Sequence, residues 1–467
     1  MRALTILTIL TLTSCASGLR DTRHAATPKQ RSQRSVALFL VDGLGVNALQ
    51  AGIAKRLLPN VRGHFLRGKQ SFPVGQAGFP TQTYPNLASI LTARPIGEQP
   101  IVANHVVLPN GKIADYEAAE NHDFLRAQVE PSSVFGRLEA EGRETASFSY
   151  VLGMSATSHM RTGLTEGLEY SRHDYKALDG RLLDELETML RERPSREWPD
   201  FLYVHLVGYD ATAHMFGSVS PEALDYLNWL DGRLGPVLRL LEMGEAGRQV
   251  LSLLTADHGF IDVKRTVSLR RKLVRADLGL VITNEGRFLG LYPPAGADPL
   301  EFAKALQLAR ATSGVELTAW RRENVLEIEG GGKRYRFLTG PAACGFPVSL
   351  SLEGGPYQCA RSFDGGMGAT YPFLVSQLVR YFSAQGAAQA LVIAKPGISF
   401  AKGQAAAHGG PTASETFVPA LLRGATLLAE GPVPTSDLLR VLEQRQALRP
   451  TIENMKRKPT ARQASAR

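Results

Sequence analysis

Residues 35–43, "SVALFLVDG", form an unbroken apolar run that stops at Asp42-Gly43. A strand with one wet face alternates polar and apolar side chains. A run without alternation suits a strand buried on both faces, as in a parallel sheet covered by helices. Comparable runs follow as "TASFSYV" (145–151), "DFLYVHLVG" (200–208), "QVLSLLTADHG" (249–259) and "QALVIAKPG" (389–397). Between them, Ser132–Glu141, Tyr175–Arg193, Pro221–Met243 and Tyr371–Ser383 carry the spacing of amphipathic helices. Strands alternating with helices predict a doubly wound, mostly parallel α/β sheet.

From 263 to 370 the texture changes. Short alternating segments ("RFLGLY", "VELTAW", "NVLEIE", "KRYRFL", "VSLSLE") are separated by Gly-rich turns, with one helix over Pro299–Arg310. This predicts an inserted α+β subdomain. The catalytic domain would then comprise 35–262 and 371–445, and 446–467 a basic, disordered tail. "EGGGKR" reads as a hairpin turn, since it lacks the strand, spacing and helix of a phosphate-binding glycine loop.

The 467-residue chain is 44% hydrophobic and 21% charged, which excludes a disordered or polytopic protein. Its net charge of +9 gathers at the two ends, and no basic helix is interleaved with aromatics, so no nucleic-acid polymer is expected as partner. The field still favours small anionic ligands. The first residues, "MRALTILTILTLTSCASGLR", have one Arg, an apolar run too short for a bilayer and then small residues, the pattern of a signal peptide. Leu12-Thr13-Ser14-Cys15 has the form of a bacterial lipobox. Residues 1–15 would be the leader with Cys15 lipidated, residues 16–34 a flexible tether, and the protein exported and anchored on the periplasmic or cell-surface face of a membrane. Ordinary cleavage with Cys15 incidental is the alternative. The two other cysteines, Cys344 and Cys359, are expected to pair in an oxidising compartment, against the alternative of two separate thiols.

Ligands of open α/β sheets bind beyond the carboxyl ends of the strands. Here those ends supply Asp42, then Asp210 and His214, then Asp257 and His258, and finally His408 in "AAAHGG". Singly, each is explained by capping or turn chemistry. Together they are six carboxylate and imidazole groups, the donors that Zn²⁺ accepts. Six is too many for one tetrahedral ion; divided three and three, with a hydroxyl added, they suit two ions about 4 Å apart. Asp210 and His214 lie four apart, on one side of a helical turn. The hydroxyl is Thr83, in "FPTQTYPNLASILTARP" (79–95), at the mouth of a predicted helix.

The ordered set "VDG", "PTQTYPN", "DATAHMFG", "ADHG" and "AHGG" resembles the alkaline phosphatase superfamily and, within it, the type I phosphodiesterase/nucleotide pyrophosphatase family. The resemblance spans Asp42 to His408. It implies that Thr83, the second Thr of T-x-T-[FY]-P-N, is the nucleophile. It further implies that Asp42, Thr83, Asp257 and His258 hold one zinc, that Asp210, His214 and His408 hold the other, and that Asn104 binds a phosphoryl oxygen. The chain departs from the pattern at Tyr209, where Pro is usual, at Ala213, where Gly is usual, and in "IGEQPIVAN" (96–104), which replaces a Glu-Ser-His-Gly. No ligand is lost. The expected activity is a two-zinc phosphodiesterase acting on a small phosphate ester, a nucleotide or a lipid head group, through a phospho-threonine. The alternatives are a phosphomonoesterase or head-group phosphotransferase of the same superfamily, or a non-catalytic surface lipoprotein. No third carboxylate-rich cluster and no well-placed Arg clamp stand out; Arg94 is only loosely placed.

Overall fold

A computed structural model describes residues 19–21, 34–160, 169, 171–243, 249–294, 296–323, 325–339, 348–352, 358–359, 370–425 and 431–444. Cys15, Cys344 and the tail 446–467 lie outside the described residues, as does the side chain of Cys359, so the expected lipidation and disulfide have no structural counterpart.

Nine strands form the main sheet, in the order Leu19–Asp21, Ser158–Met160, Thr145–Phe148, Phe201–Leu206, Arg34–Val41, Gln249–Thr255, Phe417–Arg423, Val74–Gln76 and Val433–Pro434. Arg34–Val41 lies at its centre, parallel to Phe201–Leu206 on one side and to Gln249–Thr255 on the other. The unbroken run explains itself in the core. Val36, Leu38 and Leu40 point into one apolar cluster with Leu87, Ile90 and Leu91. Ala37, Phe39 and Val41 point into another with Leu182, Leu186, Leu227 and Leu234. Both faces are covered, so no position on the strand tolerates a polar side chain. Helices Tyr175–Glu192 and Pro221–Glu242 cover the second face, and Thr83–Thr92 the first.

Two expectations change. Leu19–Asp21, inside the stretch read as a tether, is an edge strand antiparallel to Ser158–Met160. The run at 389–397 gives strand Ala390–Ala394, which pairs antiparallel with Phe288–Tyr292 and Val315–Arg322, at the middle of a separate eight-stranded sheet. A strand buried on both faces reads the same in either sheet, so burial alone could not assign it. This second sheet therefore draws on residues beyond 370. One of its faces, with Phe288, Leu317, Ala319 and Ile393, joins the core of the main sheet. The other packs Leu289, Leu291 and Trp320 against helix Pro299–Arg310. "EGGGKR" is the expected hairpin: Gly330 faces Lys333, and Gly331 and Gly332 have φ of 59° and 73°. Among the described residues no helix is long and apolar enough to cross a membrane.

Candidate metal centre and phosphoryl site

Three adjacent parallel strands end at one edge of the main sheet, and the chain immediately beyond each carries the ligand candidates. Asp42 follows Arg34–Val41, with its backbone N–H bonded to Leu206 O (2.9 Å). Asp210 and His214 lie on helix Gly208–Phe216, which follows Phe201–Leu206. Asp257 and His258 follow Gln249–Thr255. His408 comes from the loop after Ala406–Ala407, tied to the same helix by Ala405 N–H to His214 O (2.7 Å).

The six groups converge as two sets. Asp210, His214 and His408 offer ligand atoms within 4.8 Å of one another, and so do Asp42, Asp257 and His258. This is the division that the resemblance implies. The sets adjoin, with His258 Nε2 3.9 Å from Asp210 Oδ1. Thr83 is the first residue of its helix, and its Oγ1 lies 3.2 Å from His258 Nε2.

The protonation pattern of the histidines is set by the backbone. Nδ1 of His214 faces Ala406 O (2.9 Å), Nδ1 of His408 faces Thr81 O (3.0 Å) and Nδ1 of His258 faces Gly259 O (3.3 Å). A carbonyl oxygen only accepts, so each Nδ1 carries the hydrogen and each Nε2 keeps its lone pair. Two such lone pairs, on His214 and His408, face each other at 3.0 Å, where neither can donate to the other. Burial pushes the pKa of His408 well below its ordinary value, helped by His258 and His214, and burial lowers that of His214 too. The carboxyls show the complementary strain. Asp42 Oδ1, Asp210 Oδ1 and Asp257 Oδ2 are buried without a hydrogen-bond partner. Burial, then Asp257 and Asp210, raise Asp42 well above the carboxylate range. Burial, opposed by His258 and assisted by Asp257, brings Asp210 to about 7. Orphaned oxygens and bare imidazole nitrogens around one space are what divalent cations satisfy, so the donor set fits zinc.

The approach is close by construction. A Cβ on Gly43, at φ +73°, would stand 2.4 Å from the Phe260 ring and 3.1 Å from Asp210 Oδ1. Only glycine fits after Asp42.

Sequence reasoning missed the residues that hold these groups. His205, in the middle of strand Phe201–Leu206, is buried and lies 2.9 Å from Asp42 Oδ2 through Nε2. Burial lowers its pKa to about 4, so the neutral ring donates to the carboxyl. The visible signal was a histidine in an otherwise apolar run. Asp179 Oδ1 and Oδ2 accept the Val207 and Gly208 N–H groups at the start of the Asp210 helix. Thr81 Oγ1 donates to Gly410 O (2.6 Å) and accepts from Gly409 N–H (3.1 Å), bracing the His408 loop.

Asn104 Oδ1 accepts from Tyr84 N–H (3.3 Å) at the start of the Thr83 helix, and its Nδ2 donates to Glu117 Oε1 (2.9 Å). The N-cap residue Gln82 makes no side-chain cap bond, and the positive end of the helix favours an anion. Arg94 lies past the other end, eleven residues from Thr83 and so roughly 16 Å away along the axis. It is not a clamp. A third titratable group, unseen in the sequence, gathers beside Asn104: His105, Asp115 and Glu117. His105 places Nδ1 3.0 Å from Glu285 Oε2 and Nε2 3.4 Å from Asp115 Oδ1. With both ring nitrogens on carboxyls it is held as an imidazolium. Burial opposes that charge, but the hydrogen bond and charge of Glu285, with Glu117 and Asp115, bring its pKa to about 9.

The sequence model of the type I phosphodiesterase/nucleotide pyrophosphatase family matches residues 36–340. No curated protein sequence matches. Among solved structures the chain is similar to phosphonoacetate hydrolase from Sinorhizobium meliloti 1021 in complex with phosphonoformate (15% identity, 89% of this chain and 95% of that chain, TM-score 0.58). It is also similar to murine ectonucleotide pyrophosphatase/phosphodiesterase 5 (15% identity, 88% and 94%, TM-score 0.59), a protein also solved as an inactive form in complex with AMP. At these identities the likeness is one of fold.

Proposed function

The chain belongs to the type I phosphodiesterase/nucleotide pyrophosphatase family, and on that premise we propose that it is an exported two-zinc phosphodiesterase working through a phospho-threonine. The observation that carries this reading is the convergence of three imidazole Nε2 atoms and three orphaned carboxyl oxygens beside the Thr83 hydroxyl. Asp42, Thr83, Asp257 and His258 would hold one ion, and Asp210, His214 and His408 the other. When bound, zinc supplies Lewis acidity, which makes a hydroxyl or a water more acidic and offsets charge on a leaving oxygen. The remaining work falls to the chain. The positive end of the Thr83 helix and Asn104 Nδ2 orient the phosphoryl group. Thr83 Oγ1 then attacks phosphorus in line; its bond to phosphorus forms as the bond to the leaving alcohol breaks. Water cleaves the phospho-threonine and restores the hydroxyl.

The AMP and phosphonoformate bound by the two similar proteins suggest a small phosphate ester, a nucleotide or a lipid head group, as substrate here. Export and an anchor at Cys15 rest on the leader and its lipobox pattern, and a Cys344–Cys359 bond on the compartment this implies. The test is zinc analysis of purified protein with turnover of bis-p-nitrophenyl phosphate before and after chelation. About two zinc ions and activity lost with them are expected; full activity without metal ends the proposal.

A further inference from the structure

The turn Glu285-Gly286-Arg287 joins strands Val281–Asn284 and Phe288–Tyr292 of the second sheet, and it carries two wholly buried charged side chains toward the metal centre. Neither has a part in the chemistry above. Glu285 Oε2 accepts from Gln82 Nε2 (2.7 Å), and His105 Nδ1 lies 3.0 Å from the same oxygen. Gln82 is the residue that opens the Thr83 helix, and its Oε1 accepts from the Asn104 N–H (3.2 Å). One carboxyl oxygen thus touches the helix entry and His105 directly, and reaches Asn104 through the Gln82 amide.

Two residues on, Arg287 Nε donates to Glu415 Oε1 (3.1 Å) and Nη1 donates to Lys395 O (2.8 Å). Glu415 Oε1 in turn accepts from Gly410 N–H (2.8 Å), two residues past His408. Between the prongs, Gly409 at φ +111° fits against the turn itself: a Cβ there would lie 3.1 Å from Glu285 O and 3.7 Å from Gln82 Cγ. Burying a carboxyl and a guanidinium is costly and persists where partners fix them. The partners of Glu285 adjoin Thr83 and Asn104, whereas Arg287 is anchored on the carbonyl oxygens of Ala394, Lys395 and Ile398 and reaches the His408 loop through Glu415.

We propose that Glu285 and Arg287 are positioning residues, through which the second sheet sets the Thr83–Asn104 pair on one side and the His408 loop on the other. The proposal rests on the phosphoryl-transfer reading of Thr83 and Asn104. Glu285 is the sharper test, because its removal strands two donors at once, on Gln82 and His105.

The experiment uses zinc-loaded protein and the variants Glu285→Ala, Glu285→Gln and Trp320→Ala. The last loosens the far face of the same sheet and controls for general destabilisation. Measured are kcat on bis-p-nitrophenyl phosphate, zinc content, the Kd for orthophosphate and the NMR titration of the His105 ring. Glu285→Ala should keep its zinc and lose about 10–100-fold in kcat, with weaker phosphate binding. Glu285→Gln keeps an acceptor without the charge; it should recover part of kcat while His105 titrates at least one pH unit lower. If Glu285→Ala fails to fold, the Gln variant and its titration decide. Phosphate affinity and kcat within twofold of wild type, an unmoved His105 titration, or equal losses in Trp320→Ala at matched Tm would each overturn the proposal. A wild type that hydrolyses no ester, yet binds phosphate in a Glu285-dependent way, would remove the hydrolase and keep the positioning role.

Discussion

Thr83 Oγ1 and His258 Nε2, 3.2 Å apart, put the proposed nucleophile against the cluster of candidate ligands before any substrate arrives. Thr83→Ala should therefore remove at least about a thousandfold of kcat. Thr83 is partly exposed and caps nothing, so stability should change by less than about 0.5 kcal/mol. Turnover and a thermal melt on one preparation check this, and near-normal kcat would exclude Thr83 as nucleophile. His205 should act differently. Its ring bonds Asp42 Oδ2. In His205→Phe that oxygen loses its donor, the carboxylate is no longer oriented, and zinc affinity should weaken about 10–100-fold while substrate KM at saturating zinc stays close to normal. Competition against a chromogenic chelator reads the affinity; an unchanged value would reduce His205 to core filling. The contrast between the two residues also shows what sequence can reveal. Thr83 stands in a local motif whose neighbours announce it. His205 acts on a residue 163 positions away, and only the pairing of two parallel strands brings them together.

The Thr83–Thr92 helix and the hairpin of strands His105–Val107 and Ile113–Asp115 meet at Asn104, and in the proposed reaction they would be two walls of the phosphoryl site. The helix wall offers a positive end and the hairpin wall offers Glu117, hydrogen-bonded to Asn104. A phosphodiester brings one negative charge and a monoester brings a second, which would face Glu117 with no Arg94 to offset it. Diesters should be preferred by roughly tenfold or more in kcat/KM. Glu117 is exposed and its field is screened, so Glu117→Gln should narrow the preference by only about two- to fivefold. Comparing bis-p-nitrophenyl phosphate with p-nitrophenyl phosphate decides; a monoester that wins in wild type replaces the diesterase with a monoesterase. Much of this architecture was legible. The runs at 35–43, 200–208 and 249–259 became the strands whose ends carry five of the six ligand candidates, because burial on both faces leaves an unmistakable composition. The hairpin wall was not legible, since Asp115, Glu117 and Glu285 are ordinary charged residues until tertiary packing turns them toward Asn104 and His105. Strand Ala390–Ala394 was found as a strand and given the wrong sheet, because apolar composition reports burial and not partners.

The candidate metal centre ties together segments from Asp42 to His408, so its charge balance bears on the stability of the fold. Without metal, Asp42 has a pKa raised well above its ordinary value by burial, Asp257 and Asp210, and Asp210 sits at about 7. A carboxyl whose folded pKa exceeds its unfolded one holds more protons in the native state, so stability is full below about 4 and is lost as pH rises through the folded value. The histidines run the other way. His214, His408 and His205 have lowered pKa values, so the unfolded state binds more protons below about 6.5 and stability rises with pH up to that point. The two trends oppose each other between pH 4 and 6.5. Above 6.5 these three imidazoles are neutral in both states; the carboxyl contribution remains, together with His105, whose pKa of about 9 makes it lose stability over the same range whether or not metal is bound. Chelated protein should therefore lose Tm between pH 6.5 and 8.5, by an amount corresponding to a few kcal/mol at most. In zinc-loaded protein the cation takes the place of the protons on the same oxygens, and its binding adds stability in proportion to RT ln(1 + [Zn]/Kd). The His105 contribution is common to both forms and cancels in the comparison, so the zinc-loaded protein should lose less Tm over that range and the difference between the two forms should widen with pH. Paired melts at pH 6.5, 7.5 and 8.5 measure the difference directly. A chelated protein that gains Tm across these points, or a difference that stays constant, would mean that the six groups do not share one cation-dependent charge balance.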